Sequence, residues 1–91
     1  MPSMSMQGYI RGRVQGVGFR QATVRQANKL NIDGWVRNRD DGSVEVMLCG
    51  DAAAVEAMVS WLHQGPANAE VDAVELHNCG WQEIAGFVQM P

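Results

Sequence analysis

Nothing in this sequence approaches the ~20 consecutive apolar residues that a bilayer-crossing helix needs, so no membrane span is expected. The opening Met1-Pro2-Ser3-Met4-Ser5-Met6 lacks both the basic start and the long apolar core of a secretory signal. A cytoplasmic chain is therefore expected, with residues 1–5 as a flexible tail. Cysteine is scarce: Cys49 and Cys79 are too few for a disulfide scaffold and lack the C-x-x-C spacing of a metal site. Both are expected to be ordinary half-buried thiols. Basic residues are also in short supply, with seven Lys and Arg against ten Asp and Glu and a net charge of −3. That balance disfavours a nucleic-acid or anionic-membrane surface, which shows a basic stripe, and makes any positive field a local one. The nucleotide-binding templates are missing too: there is no G-x-x-x-x-G-K-[ST], and the G-x-G-x-x-G spacing fails after Gly18, where Phe19-Arg20-Gln21 follows.

What remains is a globular chain with one distinctive loop. Ninety-one residues, 46% hydrophobic and 19% charged, make a single domain over 1–91 with one core. Within it, Gly12-Arg13-Val14-Gln15-Gly16-Val17-Gly18-Phe19-Arg20 reads as a strand end, a glycine turn and a helix start. Glycines at 16 and 18 permit positive φ and close approach of a ligand. The N–H groups of the turn can then point inward, joined by the free N–H groups at the start of the helix. Arg20 adds a planar, permanently charged fork that matches two oxygens of a phosphate or carboxylate. The residues outline a pocket for one compact dianion, but glycine pairs also occur in turns that bind nothing. On spacing alone, both readings stay open.

Periodicity supplies the frame. Residues 6, 8, 10, 12 and 14 alternate with Gln7, Tyr9, Arg11 and Arg13, which predicts a strand over Met6 to Val14. Phe19, Thr23, Ala27 and Leu30 share one helical face, and Asn31 is a plausible stop, so a helix is predicted over about 19–30. Ile32 to Asn38 and Ser43 to Cys49 read as strands joined by the turn Asp40-Asp41-Gly42, the second closed by Gly50. Asp51 is a good N-cap for a helix with Ala52, Val55, Met58, Val59 and Leu62 as its apolar stripe, and Gly65-Pro66 ends it. Ala69 to Leu76 reads as a strand with a bulge near Asp72-Ala73, and Gly86 to Met90 as a short addition. The fold class expected is α+β: a ferredoxin-like βαββαβ sandwich, an antiparallel sheet with two helices on one face and a short extra edge strand. In that topology the first two strands run parallel, which puts the glycine loop and Asn38 at the same sheet edge. The two cysteines fall two strands apart, about 9 to 10 Å, too far for a bridge.

At this point the chain resembles the acylphosphatase family. The resemblance rests on G-R-V-Q-G-V-G-F-R at 12–20, G-W-V-R-N at 34–38, D-G-S-V-E at 41–45 and the G-P-x-x-A-x-V-x-x-V run from Gly65 to Val74. It implies hydrolysis of acyl phosphates to a carboxylate and inorganic phosphate by a monomer that needs no metal and no cofactor. It also implies residue roles: Arg20 binds the phosphoryl group, Asn38 orients the attacking water, and the N–H groups of Gln15, Gly16, Val17, Gly18 and Phe19 complete the cradle. Such a site makes chemical sense, since a carboxylate leaves as a stable anion and needs little general-acid help. Charge neutralisation and alignment of water remain, and they dominate phosphoryl transfer.

Two other readings compete. A noncatalytic phosphate or carbamoyl-phosphate binding module would use the same loop without turnover, and the presence of both Arg20 and Asn38 argues against it. An RNA-binding domain of the same topology would stack bases on Tyr9 and Trp35 of the open sheet face, against which stand the acidic balance and the missing aromatic motif. Arg13 and Arg37 are expected in solvent, with Arg37 able to add positive potential near the pocket. His63 and His77 have no partner pattern, and Asp40 and Asp41 are expected to shape the turn rather than act as paired carboxylates.

Overall fold

In the computed structural model, which describes residues 2–91, the chain forms β1 (Ser3–Arg13), α1 (Phe19–Lys29), β2 (Asp33–Asn38), β3 (Val44–Asp51), α2 (Ala52–Gln64), β4 (Glu70–Asn78) and β5 (Phe87–Gln89). The sheet order is β4-β1-β3-β2-β5. The first four strands pair antiparallel with their neighbours, whereas β5 lies parallel to β2. The sheet is thus mixed and not purely antiparallel. The reason is positional: β4 and β5 occupy opposite edges, so the chain between them crosses the sheet and then runs alongside β2 in the same direction.

The even-numbered residues of the central strands point toward the helices. Ile10, Val36, Val44, Val46 and Leu48 are fully buried there with Val14, against Phe19 and Ala27 of α1 and Val55, Met58 and Leu62 of α2. Val44 is in register with both Ile10 and Asn38, which sets the end of β2 level with the last turns of β1. The glycine loop and Asn38 therefore share one edge, as the topology requires.

Helix ends follow local chemistry. Asn31 takes a left-handed φ of 57°, and the N–H groups of Ile32 and Asn31 donate to Ala27 and Asn28 carbonyls, a Schellman closure that uses asparagine in place of glycine. Gly65, with φ 68°, ends α2 through a 2.8 Å bond from its N–H to the Trp61 carbonyl. Asp51 occupies the N-cap position of α2, yet its side chain makes no capping hydrogen bond. The bulge falls where expected: Arg11 pairs with Ala73 and Gly12 with Val71, leaving Asp72 unpaired.

Other expectations need correction. β1 begins at Ser3, so Ser3 to Ser5, expected in a tail, pair with Cys49 to Asp51, while Met1 lies outside the described residues. Gly50 continues β3 and does not close it. β3 is also buried on both faces, because its second face is covered by side chains from the flanking strands. There Glu45 accepts from Gln7 Nε2 and from Arg37 Nε, the latter at 2.6 Å. The cysteines are not half-buried: Cys49 is buried with Ser5 Oγ donating to its sulfur, and Cys79 is exposed, both as free thiols. Partial desolvation, and then the neighbouring Cys49, push the Cys79 thiol pKa up.

Candidate active site

The loop between β1 and α1 owes its shape to two left-handed glycines, Gly16 at φ 73° and Gly18 at φ 77°. An added Cβ would meet nothing within 4 Å at either position, so backbone conformation and not space selects glycine here. Gly18 is also the N-cap of α1 and brings no side chain to bond the first-turn N–H groups, and no acidic residue follows in that turn. A serine or aspartate cap would have occupied those donors. The positive end of the helix is left open to an exogenous anion. Among the described residues, no protein group accepts from the N–H groups of Gln15 to Phe19.

Around this loop lies a cavity of about 160 Å³ lined by Gly16, Gly18, Arg20, Asn38 and Gln89 together with Val14, Phe19 and Gln21. Three elements meet there. β1 delivers the loop, the first turn of α1 delivers Arg20, and the end of β2 delivers Asn38. The Asn38 Oδ1 is buried without a hydrogen-bond partner among the described residues. A buried carbonyl left unpaired costs about 1–3 kcal/mol, which a bound water or ligand donor would recover. Arg20 is held by a 2.7 Å bond from its guanidinium to the Met90 carbonyl.

The family model described as Acylphosphatase matches residues 6–88. The chain belongs to the acylphosphatase family. It is 52% identical to the acylphosphatase of Pseudomonas aeruginosa over 88 residues, which is 97% of each chain. Among solved structures, an acylphosphatase from Coxiella burnetii superposes with a TM-score of 0.94 at 30% identity, over 97% of this chain and 93% of the other. The acylphosphatase of Bacillus subtilis gives 0.93 at the same identity, over 97% and 99%.

In this acylphosphatase-family chain the cavity gathers Gly16, Gly18, Phe19, Arg20 and Asn38, all anticipated from sequence. Val17 instead packs partly buried against the core. Gln15 acts through its side chain as well: its Nε2 donates to the Arg39 and Ser43 carbonyls at 2.8 and 2.9 Å, stapling the glycine loop to the β2–β3 turn. Sequence reasoning missed the tail. Gln89 lines the cavity and Met90 anchors Arg20, because parallel pairing carries the end of β5 to the same edge as Asn38.

The remaining candidates stay out of the site. Arg37 is paired with Glu45 and lies 5.6 Å over the Trp35 ring, so it lends the pocket little free charge. Tyr9 sits under Arg39, 4.4 Å from ring centre to guanidinium, so each open-face aromatic is covered by its own arginine. Asp41 accepts from Ser43 N–H and Oγ at 2.9 and 2.6 Å, the turn-forming role expected of it. His63 and His77 are exposed.

Proposed function

We propose that this chain hydrolyses acyl phosphates, with Arg20 and the Gln15 to Phe19 N–H groups holding the phosphoryl oxygens and Asn38 orienting the nucleophilic water. The observation that carries the reading is the cavity itself, where a cation, a nest of free donors and an unpartnered amide oxygen converge. The water oxygen forms the new bond to phosphorus as the bond from phosphorus to the acyl oxygen breaks. The carboxylate leaves with that electron pair, and the water's proton passes to the phosphate or to solvent. Asn38 Oδ1 accepts a hydrogen bond from the water and so aims its lone pair. Arg20 and the loop donors stabilise charge spread over the three phosphoryl oxygens. Each part of this chemistry is supplied by the chain's own residues, so metal-independent turnover by a monomer follows from the reading. Two free thiols suit a reducing compartment such as the cytoplasm.

Release of inorganic phosphate from benzoyl phosphate, measured with a chelator present, tests this. Wild type is expected to turn over. Arg20→Ala should lose roughly 10²- to 10³-fold in kcat/KM, the scale of removing one preorganised donor to developing charge. Asn38→Ala should lose kcat with KM nearly unchanged, since a water-orienting group acts in the transition state. Wild-type activity no higher than that of Arg20→Ala sinks the reading.

A further inference from the structure

Charge is divided unevenly over this molecule. Arg11, Arg13, Arg37 and Arg39 each lie within ion-pair distance of a carboxylate, supplied by Asp41, Glu45, Glu70 or Glu75. The other three basic residues, Arg20, Arg25 and Lys29, all belong to α1, whose sequence contains no acid. Among the described residues none of these three has a carboxylate within ion-pair distance. With three of the seven Lys and Arg on α1, four arginines are left to face all ten acids, so a helix of charge +3 rides on a body of −6.

The placement of the helix cations has a direction. Gln21, Arg25, Asn28 and Lys29 fall at helical spacing on one exposed stripe. Gln21 lines the active-site cavity, and the other three line the open groove where α1 meets Trp61 of α2. At 1.5 Å rise per residue, Arg25 and Lys29 stand about 6 and 12 Å along the axis from Gln21. Both lie close to a Debye length of the pocket at physiological salt, about 8 Å.

We propose that Arg25 and Lys29 form a cationic approach to the active site, concentrating anionic acyl phosphate along α1 and raising its capture by Arg20. The proposal rests on the acyl-phosphate reading above. Two positive charges at about 10 Å from a dianion in water change its local concentration by roughly five- to tenfold at about 0.01 M ionic strength and about twofold at about 0.15 M. Net charge alone makes the opposite forecast. A protein of −3 would repel the substrate, and added salt would then speed capture.

The decisive measurement is kcat/KM for benzoyl phosphate across that range of ionic strength, in wild type and in Arg25→Gln/Lys29→Gln. Glutamine is a good helix former, so exposed positions should keep their helix. Wild-type kcat/KM should fall as salt rises. The double variant should start roughly five- to tenfold lower and converge on wild type at high salt. Glu56→Gln, which removes one exposed charge near the start of α2, at the sheet end opposite the glycine loop, should keep the wild-type slope. A structural part for Lys29 at the C-terminal end of α1 would shift melting temperature but not this slope. A double variant with the wild-type salt slope overturns the proposal; a wild type that releases no phosphate overturns the hydrolytic reading instead.

Discussion

Asn38 and Asp51 each bury a side-chain oxygen without a partner among the described residues, but only Asn38 opens onto the cavity. A buried oxygen that opens onto a cavity is within reach of a water or ligand donor, which is what the water-orienting role proposed for Asn38 requires. Asp41 shows the contrary case, a carboxylate whose capacity is used within the fold. Hydrogen bonds from Ser43, through its hydroxyl and then its N–H, hold the Asp41 pKa at about 2, with help from Arg39 and Arg11. This value lies below the unfolded one of about 3.9, so the ionised form stabilises the fold above about pH 4 and that contribution disappears as pH falls through about 2. Thermal melts of wild type and Asp41→Ala should differ by a constant interval above about pH 4 and converge on acidification. The turn role of Asp41 was legible from the Asp-Asp-Gly spacing because it is local. Asn38 acquired a role only from the acylphosphatase resemblance, since its empty hydrogen-bonding capacity depends on neighbours that sequence spacing does not reveal.

Among the elements, α1 carries its instructions almost entirely in its own residues. Its glycine start leaves donors free, its Asn31 closure sets its length, and Phe19, Thr23 and Ala27 choose the buried face. β5 is different. Three residues, Phe87–Gln89, cannot declare by alternation which strand they join or in which direction. Only pairing with β2, through Gly34 opposite Phe87 and Val36 opposite Gln89, brings the tail to the site. There the Met90 N–H donates to the Val36 carbonyl at 2.8 Å while its own carbonyl receives Arg20. A chain lacking Met90 and Pro91 should stay folded, losing about 2 kcal/mol for the two missing bonds. Its KM for benzoyl phosphate should rise several-fold because Arg20 is no longer oriented. Steady-state kinetics beside a melting curve would check this; an unchanged KM would show that Arg20 does not depend on the tail.

For the molecule as a whole, one core joins both helices to the middle of the sheet, and Leu48 of the central strand is fully buried within it. Leu48→Ala should cost about 2–5 kcal/mol through lost burial and the cavity left behind. In a domain of this size each kcal/mol lowers the melting temperature by roughly 4–8 °C, a loss that chemical denaturation would measure directly. The resemblance and the solved relatives agree at this scale because the βαββαβ order follows from periodicity, turn residues and the handedness of crossovers, all written locally along the chain. By itself the sequence determined the identity of the elements through β4, the bulge at Asp72, and the shared edge of the glycine loop and Asn38. Tertiary structure decided the rest. It turned β5 parallel to β2 and buried the second face of β3 under Gln7 and Arg37. It also paired the sheet-face arginines with carboxylates while leaving those of α1 without one among the described residues. Each of these depends on partners distant in sequence, whose meeting is settled by which surfaces must be buried together and not by any local preference.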